Sequence, residues 1–93
     1  MKDKLVVIRY AEAYVSFALP ALGMPRIIEE MRVTHWALRE APQLRDFLRA
    51  PEVSLEEKSS FLDKVFTGAL SGQTRDFIKY LIYRRRIDSL SDI

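Results

Sequence analysis

TRDFIKYLIYRRR, Thr74 to Arg86, carries more apolar surface than a surface helix needs. At about 100° of turn per helical residue, Ile78, Leu81 and Ile82 share one flank and Phe77 and Tyr80 stand on the neighbouring one, with Arg84 beside them. Arg75, Asp76, Lys79 and Tyr83 take what remains. The apolar arc spans roughly 200°, whereas an arc of roughly 100° or somewhat more is enough to seat a helix on a small domain. Such a helix is either central in a bundle or keeps one face for a partner.

A second helix shares this surplus. In LVVIRYAEAYVSFAL, Leu5 to Leu19, the polar stripe is only Arg9, Glu12 and Ser16. Tyr10, Tyr14 and Phe17 cluster on one side, Val7, Ala11 and Ala18 lie next to them, and Val15 and Leu19 continue round. The alanines permit close helix approach, and the tyrosines offer large contact area with a polar tip. Pro20, Gly23 and Pro25 are expected to end this helix and open the next, because proline suits a first turn and not a helix interior.

The intervening segments read as ordinary amphipathic helices. Pro25 to Ala41 places Ile27, Met31, Thr34, Leu38 and Ala41 on one face, with Ile28 and His35 at its edge and Trp36 nearly opposite, one turn from Arg32. APQLRDFLRAP gives a short third helix that begins at Pro42, buries Leu44, Phe47 and Leu48, and stops at Pro51. Ser54 with Glu57 forms an SxxE capping box ahead of Leu55, Leu62, Val65 and Phe66, with Phe61 beside them and Gly68 suited to close the helix. Ser71 can cap the helix of Thr74 to Arg86, and Asp88 or Ser89 a last segment, SLSDI, carrying Leu90 and Ile93. Five residues cannot make a stable helix alone, so the chain is expected to be one domain of a longer polypeptide. Five or six short helices, with no period-two alternation and no repeat, predict an all-α fold: a compact six-helix bundle forming a single domain over 1–93.

Composition narrows function. The 93 residues are 48% hydrophobic and 30% charged, with 15 basic against 13 acidic residues and a net charge of +2. That excess is too mild for a nucleic-acid footprint, and the one basic cluster, Arg84 to Arg86, sits where cations complement a helix dipole. With Tyr80 and Tyr83 it could make phosphate contacts and stacks, but Asp76 and Asp88 flank it. No cysteine is present, which removes thiolate metal sites and disulfides. The single histidine, His35, cannot build a metal site alone and reads as an edge residue. Glu29 with Glu30, and Glu56 with Glu57, are adjacent pairs that point about 100° apart on a helix and share no site. No phosphate loop, zinc motif or calcium loop occurs. No catalytic residue, metal or cofactor is expected. No uninterrupted apolar run reaches the roughly 18 residues of a membrane span, and a soluble protein is expected.

Three stretches taken in order resemble the amino-terminal domain of the delta subunit of F-type ATP synthase, called the oligomycin-sensitivity-conferring protein in mitochondria. RYAEAY, Arg9 to Tyr14, is similar to the family's opening arginine-tyrosine-alanine motif. LRDFLRAPEVSLEEK, Leu44 to Lys58, resembles its proline followed by a capped EEK helix, and LSGQTRDFIKYLIYRRRIDSLSDI its closing signature. One departure stands out: Arg85-Arg86-Ile87 occupies the family's glycine-arginine-leucine turn, so the helix must run on or turn with a strained arginine.

The resemblance implies a non-catalytic peripheral-stalk subunit. It would sit on the catalytic head and take the amino-terminal helix of an alpha subunit between the first and fifth helices. A carboxy-terminal domain, absent from these residues, would grip the stalk's b subunits. Tyr10, Ala13, Tyr14 and Phe17 would form one wall and Phe77, Tyr80, Leu81 and Arg84 the other, although Leu81 also fits a core position. The expected location is the cytoplasmic face of a bacterial inner membrane, held through partners, with no membrane insertion of its own and no nucleic acid bound. The alternatives are a free-standing helical adaptor for another amphipathic helix, and a weak nucleic-acid binder acting through Arg84 to Arg86. The surplus on the first and fifth helices agrees with the first reading.

Overall fold

A computed structural model describes residues 4–90 and 93 in full and the backbone of 91 and 92. Among the described residues it is all-helical. Five α-helices, α1 (Lys4–Leu22), α2 (Met24–Glu40), α3 (Pro42–Arg49), α4 (Leu55–Phe66) and α5 (Gly72–Tyr83), are followed by a 3-10 helix, Ile87–Asp92. The expected sixth helix is therefore a 3-10 helix, entered at Arg86 and not capped by Asp88 or Ser89. A segment of six residues is too short to nucleate an α-helix, whereas 3-10 geometry suits such short pieces.

Local chemistry sets most of the boundaries. Ser54 Oγ accepts the Glu57 amide at 3.1 Å and donates to the Glu57 carboxylate at 3.2 Å. The same residues that form a capping box thus close the start of α4. Ser71 caps α5 through the Thr74 amide, Pro42 opens α3, and Gly68, at φ 93°, takes the left-handed position after α4. Pro20 behaves differently from expectation, because α1 runs through it to Leu22. Placed in the last turn, its missing N–H removes only the bond to the Ser16 carbonyl. Gly23 makes the stop: at φ 78°, its amide reaches back to the Leu19 carbonyl at 3.0 Å.

The core gathers Tyr14 and Ala18 from α1, Ile27 and Leu38 from α2, and Leu44 and Leu48 from α3, closed over by Leu62, Phe66, Ile78, Leu81 and Leu90. Met31 and Phe47, expected inside, are only partly buried, and Phe47 packs on Phe61 with ring centroids 4.8 Å apart. Leu55 and Val65 are exposed, because α4 turns just Lys58, Leu62 and Phe66 inward. Asp63 ties α4 to α5 through Arg75 at 2.8 Å and Lys79 at 2.9 Å. The first helix also meets, by length and composition, the requirement for a membrane span, with a mean hydropathy of 1.4. The interruptions at Arg9 and Glu12 do not prevent this. Only Tyr14 and Ala18 of its residues are fully buried, so α1 is more apolar than the bundle can cover.

Candidate partner-helix interface

Two antiparallel helices build this face. Thr74 enters α5 one turn after its cap and is buried there. Its hydroxyl meets the Tyr14 hydroxyl of α1 at 2.7 Å. One turn further along α5, Phe77 stacks on the Tyr14 ring at 4.7 Å and 27°. The next turn brings Tyr80 to Tyr10, with centroids 6.1 Å apart and planes tilted by 55°. Beyond them the Arg84 guanidinium lies near the Tyr10 hydroxyl, with Tyr80 and Tyr83 also close. The Tyr10 hydroxyl is the first reason the Arg84 pKa stands above its ordinary value.

The eight expected wall residues divide by depth. Tyr14 and Leu81 are fully buried and Phe77 is 6% exposed, so these three form a floor and are not walls open to a partner. A helical wheel gives direction and not depth. The tyrosine tip that would ordinarily call for water finds Thr74 inside. Burial pushes the Tyr14 phenol up, with the Thr74 hydrogen bond opposing. At the surface remain Tyr10, half-buried, and Ala13, Phe17, Tyr80 and Arg84, exposed. Phe17 is 54% and Tyr80 48% exposed. Tyr10, Ala13 and Phe17 follow the i, i+3, i+7 spacing of one helical face, and Tyr80 flanks it across the seam. The contact between Tyr10 and Tyr80 roofs the seam at that level, so an incoming helix would lie on the two rings and not between them.

One organising residue escaped the sequence reading. Glu30 of α2 is buried, and its carboxylate accepts the Ser71 amide at 2.9 Å, the Ser71 hydroxyl at 2.8 Å and Arg26 Nε at 2.7 Å. It thereby fixes the start of α5, and with it the Thr74–Tyr14 contact. Burial opposes its charge, yet the bonds from Thr74, Ser71 and Arg26 outweigh that and hold the carboxyl below its usual value. The available signal was position: Glu30 lies three residues after Ile27 and four before Thr34, on the buried face of α2.

His35 Nε2 lies 3.0 Å from the Leu90 carbonyl, and Trp36 is exposed. Among the described residues no cluster of acidic groups and histidine could hold a metal ion. Two of the three arginines diverge: Arg84 lies near Tyr10, whereas Arg85 lines a cleft on the opposite side of α5.

Comparison with known proteins places residues 6–93 in the family described as ATP synthase delta (OSCP) subunit. ATP synthase subunit delta of Lachnoclostridium phytofermentans is 32% identical over 90 residues, covering 97% of this chain and 50% of the relative. The subunits of that name from Bacillus thuringiensis and Bacillus cereus are each 34% identical over 93 residues, covering all of this chain and 51% of theirs. The chain thus spans about half the length of these relatives. No solved structure matches it.

Proposed function

This chain belongs to the ATP synthase delta (OSCP) subunit family, and from that premise we propose that its α1–α5 face receives the amino-terminal helix of an alpha subunit. In this reading the bundle is a non-catalytic link in the peripheral stalk, holding the catalytic head against rotor torque. It works at the cytoplasmic face of a bacterial inner membrane through its partners. In this reading the grip on the b subunits falls to the part of the relatives' length that these 93 residues do not span.

The observation that carries the reading is the apolar excess of α1 and α5. Phe17 and Tyr80 stand about half in water on one continuous face, over a floor of Tyr14, Phe77 and Leu81 that the bundle already holds rigid. An amphipathic helix laid on such a face is a recurrent mode of recognition, with anchors spaced three or four residues apart. Ala13 leaves room for a close backbone, and Arg84 supplies a charge for an acid on the visitor.

Capture by purified catalytic head tests this. Intact head should retain the chain, and head lacking its alpha amino termini should not. Equal retention by both would remove the alpha helix as the ligand and leave a general helical adaptor as the better reading.

A further inference from the structure

Glu30 keeps a charge in the interior. Its side chain is 2% exposed, whereas that of Arg26, its ion-pair partner, is 55% exposed. The carboxylate is therefore held from within the fold by the Ser71 amide and hydroxyl, at 2.9 and 2.8 Å. Withdrawing a carboxylate from water is costly, and a well-packed apolar residue often serves stability as well or better. What the charge adds here is direction. Ser71 is the N-cap of α5, where free amides and the helix dipole favour an anion, so a side chain of α2 anchors the first turn of α5. The Thr74 hydroxyl lies 3.4 Å from Ser71 Oγ and meets the Tyr14 hydroxyl of α1 at 2.7 Å. Glu30 and Tyr14 are each 1% exposed and Thr74 is 0% exposed, so solvent does not readily replace a lost link. These contacts join α2, α5 and α1 in the floor of the α1–α5 face.

We propose that Glu30 is a positioning residue for the α1–α5 face: without touching a visiting helix, its carboxylate fixes the roll of α5 on α1 and so the affinity of that face. The inference rests on the reading of this face as the seat of an alpha amino-terminal helix. Thr74, Phe77 and Tyr80 follow one another at three-residue steps along α5, so a turn of the helix about its axis moves all three together. Phe77 stacks on the Tyr14 ring at 4.7 Å and Tyr80 reaches Tyr10 at 6.1 Å. Slack at Thr74 is thus carried out to the rings that a partner would cover. A face already held in its bound arrangement loses less freedom when a ligand is seated. Glutamine in place of Glu30 still offers an oxygen to Ser71, but without the charge that makes such bonds strong.

The test titrates the parent chain and its variants with a synthetic peptide of an alpha-subunit amino terminus and records the aromatic NMR signals of the free chains. Glu30→Gln and Tyr14→Phe should each weaken the peptide about threefold or more, as residues that couple to a site from a distance do. Because both act through one chain of contacts, the double variant should weaken it no further than the worse single variant. Ser54→Ala, which loosens α4 instead, should leave the affinity unchanged and so separates positioning from a general loss of stability. In free Glu30→Gln the Tyr14, Phe77 and Tyr80 rings should shift while the Phe47–Phe61 pair stays in place. A Glu30→Gln chain that binds as the parent does, or losses that add in the double variant, would overturn the proposal. Should Glu30→Gln fail to fold, Tyr14→Phe decides, since it keeps the ring and deletes the last link; parent-like binding by it would overturn the relay. A parent chain that ignores the peptide removes the docking reading itself, and the ring signals then judge the positioning alone: rings unmoved in Glu30→Gln would overturn it.

Discussion

Arg85 ends α5 in a conformation usually given to glycine. Its amide bonds the Ile82 carbonyl and the Arg86 amide bonds the Leu81 carbonyl, the paired closure that needs a left-handed residue at this point. Of the two outcomes open from the sequence, a longer helix or a strained arginine, the structure takes the second. A left-handed side-chain-bearing residue costs about 1–2 kcal/mol, and glycine returns about 0.5–1 kcal/mol of that through chain entropy. Arg85→Gly should therefore raise stability by about 0.5–1 kcal/mol in urea melts, with a matching rise in Tm. Glu30 gives the opposite case, a residue read from sequence only as half of an adjacent acidic pair, which the structure buries. Its native pKa lies below its ordinary value, so its contribution is complete at neutral pH and is lost as pH falls through the native value. Urea melts from pH 7 down to about 3 should show that loss, and Glu30→Gln should flatten this part of the profile. At pH 7 the same change should cost about 1–3 kcal/mol, because the Ser71 amide and hydroxyl lose a charged acceptor.

Helix ends were legible because they depend on neighbours in sequence. Ser54, Ser71, Pro42 and Gly68 each act within a few residues of the end they define. Ser54→Ala should cost about 1 kcal/mol by removing the bond to the Glu57 amide, measured by thermal melts. Depth was less legible, because it depends on residues far apart in the chain. Tyr14 looked like a wall residue until Thr74, sixty positions away, took its hydroxyl inside. Pro20 looked like a stop, although the last turn of α1 loses only one bond to it. The division of α5 into a floor and an outer face is measurable. Ile78→Ala should cost about 2–5 kcal/mol of stability as a buried truncation. Tyr80→Ala should cost less stability, and it should weaken an alpha amino-terminal peptide by about 2 kcal/mol if that ring is a central anchor.

The whole molecule is a small bundle whose first helix is too apolar for its own interior. A domain of this size buries only somewhat over about 60% of the surface its unfolded chain exposes. The aromatic face left half in water on α1 and α5 is where the proposed partner helix would add to that burial. Composition and periodicity were enough to find those two helices, since they alone carry an excess of apolar arc. They could not show that Tyr10 and Tyr80 close over the seam, which depends on the spacing of the packed helices. The most direct test is a titration of the labelled chain with a synthetic peptide of an alpha-subunit amino terminus, followed by amide and aromatic NMR shifts. Saturable changes should centre on Tyr10, Ala13, Phe17, Tyr80 and Arg84 while signals from Leu44, Leu48 and Leu62 stay in place. Saturable binding mapped to α2, α3 or α4 instead, or none at all, would contradict the account.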